Sequence, residues 1–137
     1  MEKEELMLRA MEARHMAYAP YTGFAVGAAL LCRDGQVYTG CNIENAALTA
    51  TNCAERTALF KAISEGEREF EAIAIVGGKA QEPPREYCAP CGVCRQVMRE
   101  FCGDDFLLYF VTPEGYETHT LAEVLPFSFS AKTHMQL

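Results

Sequence analysis

Cys53-Ala54-Glu55-Arg56 opens an apolar helical pattern that continues through Ala58, Leu59, Ala62 and Ile63 and stops at Gly66. A second opening of the same kind lies at Pro90-Cys91-Gly92-Val93-Cys94 and ends at Gly103. Cys91 and Cys94 are three apart, so they face one side of a helix or of its first turn. All three cysteines fall at helix starts, where unpaired N–H groups and the helix dipole favour thiolate over thiol. Two helix ends aimed at one point can therefore hold three thiolates around a single metal ion. Three protein ligands with a fourth position open is the arrangement of a catalytic zinc.

Glu55 and Arg56 bear on how such a centre is used. Two steps along a helix is a rotation of roughly 200°, so Cys53 and Glu55 do not easily ligate one ion from a helix side. At a helix end the long Glu side chain still reaches a water beside the metal, which suits a proton shuttle. Three thiolates leave a divalent ion with excess negative charge, and a guanidinium bonded to sulfur would offset it. From spacing alone Arg56 fits that role and an exposed helix position equally well.

The chain has 137 residues, half of them apolar. That is one domain's worth, residues 1–137, able to bury about two thirds of its unfolded surface. A net charge of -7 with no long basic run argues against wrapping a nucleic-acid backbone. No apolar stretch approaches the length of a membrane span. Met1-Glu2-Lys3-Glu4-Glu5 is charged where a secretory signal needs a basic and then an apolar run. The expectation is a cytoplasmic protein. Seven cysteines, an odd number, then favour metal or thiol chemistry over a disulfide framework. Beyond the three at the proposed site, Cys32, Cys41, Cys88 and Cys102 read mostly as small buried apolar residues.

Residues 2–18 have the spacing of an amphipathic helix stopped by Pro20. Phe24 to Cys32 reads as a buried strand, Arg33-Asp34-Gly35 as a turn, and Gln36 to Gly40 as the return strand of a hairpin. Cys41 to Ala46 is a polar loop that delivers an amide and a carboxylate just before the first metal helix. Glu71 to Gly77 is a strand, Gly78 to Tyr87 a loop, and Phe106 to Val111 another strand. A turn at Thr112-Pro113-Glu114-Gly115 leads to a short strand at 116–119, and Thr120 is placed to cap a last helix. The order predicts a three-layer α-β-α sandwich, with a mixed sheet of about five strands and helices on both faces. Phe127 and Phe129, near a polar C-terminus, are hard to bury within one small domain. They would pack on the first helix or meet another subunit.

The chain resembles the small zinc-dependent cytidine deaminases, the homotetrameric kind. The resemblance rests on Tyr21-x-x-Phe24-x-Val26-Gly27-Ala28, Asn42-Ile43-Glu44-Asn45-Ala46 and Cys53-Ala54-Glu55-Arg56-Thr57-Ala58. It continues through Ser64-Glu65-Gly66, Pro90-Cys91-Gly92-Val93-Cys94-Arg95-Gln96 and Leu125-Pro126-x-x-Phe129. The resemblance implies hydrolytic deamination of cytidine and 2′-deoxycytidine to uridine and 2′-deoxyuridine, with release of ammonia, as in pyrimidine salvage. It implies zinc on Cys53, Cys91 and Cys94, Glu55 as general acid/base, and Arg56 tempering the thiolate charge. It further implies that Asn42 and Glu44 bond the ribose hydroxyls and that Phe24 packs on the nucleoside. The Ala54 N–H would meet the pyrimidine carbonyl, and Phe129 would stack on the base from a neighbouring subunit of a homotetramer with shared active sites. The partner implied is a small nucleoside, with neither nucleic acid nor membrane.

The chain departs from the family in two places. The family usually carries Tyr where this chain has Leu48, and Cys88 extends the second motif to Cys88-x-x-Cys91-x-x-Cys94. With Cys53 that extension would close a four-cysteine structural zinc site, which leaves Glu55 and Arg56 without a task. A thioredoxin-like dithiol at Cys91-Gly92-Val93-Cys94 is another reading, and it explains neither Cys53 nor Glu55. Within deaminases the alternatives are an antibiotic of the blasticidin type, a deoxycytidylate, or the base of a polynucleotide.

Overall fold

In the computed structural model, which describes residues 1–135, the nine-residue run Phe24–Cys32 forms β1 and lies inside the sheet. It pairs antiparallel with β2 (Val37–Cys41) on one edge and with β3 (Phe70–Lys79) on the other. β3 runs parallel to β4 (Leu107–Thr112), and β5 (Gly115–Thr120) returns antiparallel to β4. The order is β2-β1-β3-β4-β5, the mixed five-stranded sheet expected. A parallel pair needs a crossover connection, and here it contains α3 (Gly92–Phe101).

Strand alternation divides the core into two layers. Ala28, Leu30, Cys32, Ile73, Ile75, Leu108 and Phe110 face α2 (Ala54–Ser64) and α3. Ala29, Leu31, Ala72, Ala74, Val76 and Val111 face α1 (Lys3–Arg14). Helices thus cover both faces. A short α4 (Leu121–Val124) joins the α2 side, and Thr120 and Glu123 form a reciprocal capping box at its start.

The first helix is shorter than the sequence pattern suggests. It ends at Arg14, because Tyr18 is drawn into extended pairing with the loop after β2: its N–H donates to Asn42 O and its carbonyl accepts from Glu44 N. β3 runs further than expected, since Gly78 and Lys79 still pair with Ala25 and Phe24. Neither C-terminal phenylalanine packs on α1. Phe127 is fully exposed in left-handed backbone (φ 53°), and Phe129 stacks on His134. Cys32 and Cys102 are buried as expected, whereas Cys41 and Cys88 are only half-buried.

Two glycines let helices lie directly on the sheet. A Cβ on Gly27 would stand 2.1 Å from Ala10 O and 2.5 Å from Arg14 N, and one on Gly40 would stand 2.5 Å from Ala54 O. The first contact seats α1, and the second sets the height of the first turn of α2. Gly27→Ala should therefore destabilise the fold by about 1–3 kcal/mol through backbone displacement, measured as a lower urea unfolding midpoint.

Candidate active site

Cys53 is the N-cap of α2 and Cys91 the N-cap of α3, both in extended backbone. Cys94 lies one turn into α3 and is buried. Cys53 Sγ is 3.8 Å from Cys91 Sγ, which is 3.6 Å from Cys94 Sγ, and all three sulfurs lie within 4.8 Å of one another. Tetrahedral zinc with Zn–S bonds of ~2.3 Å would separate its sulfurs by about 3.8 Å. The donor set and its spacing fit that ion.

Within the cluster, Cys53 is the sulfur held toward the thiolate. The hydrogen bond from the Cys94 thiol, assisted by the Arg56 guanidinium, pulls Cys53 down to about 5. Cys94 is held up as the donor of that bond. Arg56 Nη2 donates to Cys53 Sγ at 3.2 Å, so the two options left open by spacing resolve in favour of a contact with sulfur.

Glu55 follows Ala54 in the first turn of α2 and is only 3% exposed. Burial pushes its carboxyl up to about 7, against an opposing hydrogen bond from its own backbone N–H. A carboxyl poised near neutrality beside three converging thiols can both accept and release a proton. Ala54 is completely buried at the same helix start.

Asn42 and Glu44 are both buried, and each already has partners. Asn42 Oδ1 accepts from Val26 N and its Nδ2 donates to Phe24 O, each at 2.8 Å. Glu44 accepts from Tyr21 N (2.9 Å), Thr22 N (3.1 Å) and the Thr22 hydroxyl. The Thr22 hydroxyl is the chief reason its carboxyl lies below the usual range. An amide has two donors and two lone pairs, and a carboxylate about four lone-pair sites. Each side chain therefore keeps some capacity for a ligand. Reciprocal bonds between Ile43 and Asn52, both 2.9 Å, hold this loop against the run into Cys53.

Phe24 (42% exposed) and Phe129 (51%) are not brought together. The Phe129 ring stacks on His134, and its carbonyl accepts from Gln96 Nε2 on α3. Leu48 is exposed in a 3-10 turn, Leu48–Ala50. Cys88 stands outside the sulfur cluster. Its thiol, pushed up to about 11 by burial and then by the charges of Glu55 and Cys53, lies against Gly77. A cavity of about 350 Å³ between Phe24, Gly77 and Cys88 flanks the site. A larger cleft of about 860 Å³, between the end of α3 and the C-terminal tail, contains none of the chemical groups.

Sequence reading missed Thr22, which fixes Glu44, and gave no task to Arg95. Arg95 Nε donates to Pro90 O and its Nη1 to Val124 O, which ties the start of α3 to α4. These partners are mostly distant in sequence, and only Arg95 lies within a motif.

The chain matches the family described as the cytidine and deoxycytidylate deaminase zinc-binding region over residues 1–110. It is 50% identical to a cytidine deaminase of Sporosarcina psychrophila over 131 residues, covering 95% of this chain and 93% of that protein. It is 49% identical to a cytidine deaminase of Halalkalibacterium halodurans, covering 96% and 97%. The crystal structure of the cytidine deaminase from Burkholderia pseudomallei superposes with a TM-score of 0.87 at 44% identity, covering 94% of this chain and all of that one.

Removing one sulfur from the cluster should empty it: Cys94→Ser should reduce bound zinc, measured by atomic absorption, from about one equivalent per chain to a small fraction. Cys88→Ala should leave zinc content unchanged. Loss of zinc from Cys88→Ala would restore the four-cysteine alternative.

Proposed function

The chain belongs to the cytidine deaminase family, and from that premise we propose how its residues divide the work of the reaction. It is a zinc hydrolase that deaminates cytidine. Cys53, Cys91 and Cys94 hold the ion. Bound there, zinc supplies the Lewis acidity that brings the pKa of water from about 16 toward 7.

Glu55 takes the proton that water releases and delivers it to ring N3, which makes C4 electrophilic. The hydroxide left by that first transfer adds to C4. Glu55 then carries the proton of the new C4 hydroxyl to the amino group, the C4–N bond breaks, and ammonia leaves as the C4 carbonyl of uridine forms. Support comes from its burial and its carboxyl near 7, which let one group serve as base and acid in turn. Arg56 draws negative charge from Cys53 and so keeps the centre acidic enough to activate water. The Ala54 N–H, at the open end of α2, donates to the pyrimidine carbonyl. The remaining donor of Asn42 and the remaining lone pair of Glu44 bond the sugar hydroxyls, and Phe24 covers the nucleoside. Residues 1–137 act as a single domain. 2′-Deoxycytidine is a second substrate, with recognition resting on the hydroxyls that the two sugars share.

The exposed Phe127 and Phe129 support assembly into a homotetramer in which Phe129 stacks on the base in a neighbouring subunit. No described helix is long and apolar enough to cross a membrane. A cytoplasmic role in pyrimidine salvage is the setting proposed. The observation that carries the whole reading is the convergence of three sulfurs within 4.8 Å beside a buried carboxyl.

The first test is loss of cytidine absorbance on incubation with zinc-loaded protein. Glu55→Ala should lower the rate at least 10²–10⁴-fold while zinc stays bound; an unaltered rate would remove Glu55 from the chemistry. The shared site is tested by reassembling equal amounts of Glu55→Ala and Phe129→Ala chains. If Phe129 acts in trans, about a quarter of the sites regain both groups. If it acts in cis, mixing restores nothing.

A further inference from the structure

Arg14, in the last turn of α1, is 8% exposed. Among the described residues no carboxylate pairs with it. Its guanidinium instead donates to three backbone carbonyls. Nε reaches Ala25 O at 3.0 Å, and Nη2 reaches Lys79 O at 2.5 Å and Glu82 O at 2.9 Å. A buried charge satisfied this way contributes weakly to stability, because desolvation opposes its hydrogen bonds. What a planar fork of donors does well is fix the relative placement of its acceptors.

One acceptor lies at the start of β1, beside Phe24 of the nucleoside site proposed above, and the other two lie in the segment that borders the cavity next to Phe24; the inference rests on that reading. Ala25 lies between Phe24 and Val26, the residues that Asn42 grips through Phe24 O and Val26 N. The start of β1 is therefore held by Asn42 and by Arg14 together. Lys79 and Glu82 begin the loop that returns over the sheet to Cys88. A Cβ on Gly77 would lie 2.8 Å from Cys88 Sγ and 3.1 Å from Phe24 Cε1, so the far end of that loop packs beside the Phe24 ring. Pro84 lies over Gly78, and a Cβ there would stand 3.1 Å from Pro84 Cα and 3.5 Å from Arg14 Nη2.

We propose that Arg14 is a positioning residue for nucleoside binding, setting Phe24 and the 79–88 loop at the spacing that the sugar and base require. It touches neither metal nor reacting atoms, so it acts on binding and not on proton transfer.

The test uses Arg14→Lys, which keeps the charge but cannot span three carbonyls. It is run beside Gly78→Ala, which keeps Arg14 but pushes the loop outward. Arg9→Lys, on the exposed side of the same helix, is the control. Each zinc-loaded protein is assayed for KM and kcat with cytidine, for zinc content, and for uridine affinity by calorimetry. In both Arg14→Lys and Gly78→Ala, KM and the uridine Kd should rise about tenfold while kcat stays within about threefold of wild type. Zinc content should not change, and Arg9→Lys should match wild type. Unchanged KM and uridine affinity in both variants would overturn the proposal, as would loss of zinc from both, which would make Arg14 a brace for the metal helices. Failure of the wild type to deaminate cytidine would overturn the proposed function, whereas the uridine titration judges Arg14 without turnover.

Discussion

The crowding of three sulfurs that must all ionise to hold one metal ion is the constraint on which the rest of the structure depends. Sulfurs 3.6 and 3.8 Å apart hold together only if positive potential reaches them from several directions. The open N–H ends of α2 and α3 supply part of it, and the Arg56 guanidinium another part. Both helix ends must then meet at one point. Gly40 brings the α2 end down onto β2, and Arg95 ties the α3 end to α4.

The same geometry makes the Glu55 carboxyl useful. Buried in the first turn of α2, two residues after Cys53, Glu55 does not ionise as readily as a surface carboxyl. Glu44, in the loop before α2, has the opposite environment: bonds from Tyr21 and Thr22 stabilise its charge. Two buried glutamates are thus tuned apart by burial in one case and by hydrogen bonds in the other.

What the amino-acid sequence disclosed was whatever local spacing controls. Cys91 and Cys94 could be read as a pair, and all three cysteines as helix starts, because N-cap positions and an i,i+3 step are properties of short segments; joining Cys53 to the pair across 38 positions rested on the resemblance. Thr120 could be read as a cap for the same reason. Asn42 and Glu44 were visible as polar residues in a loop. Their second task, holding the backbone at Phe24, Val26, Tyr21 and Thr22, depends on partners some twenty positions away in the chain. Arg14 is the extreme case. In sequence it is one more basic residue near a helix end, and only the folded sheet brings carbonyls from positions 25, 79 and 82 around it. The end of α1 was misjudged on similar grounds, since Tyr18 leaves the helical pattern to bridge the loop after β2.

The closeness of the sulfurs bears on maturation as well as on catalysis. A disulfide needs ~2.05 Å between sulfurs, closer than the 3.6 and 3.8 Å found here, but the three donors are already neighbours. A chain that meets an oxidised thiol before it meets zinc would exchange into a bond between two of its own metal donors and lose the site. An ion bound by all three sulfurs would leave none of them free to pair with another, so the closeness that makes the metal site also makes it dependent on being filled.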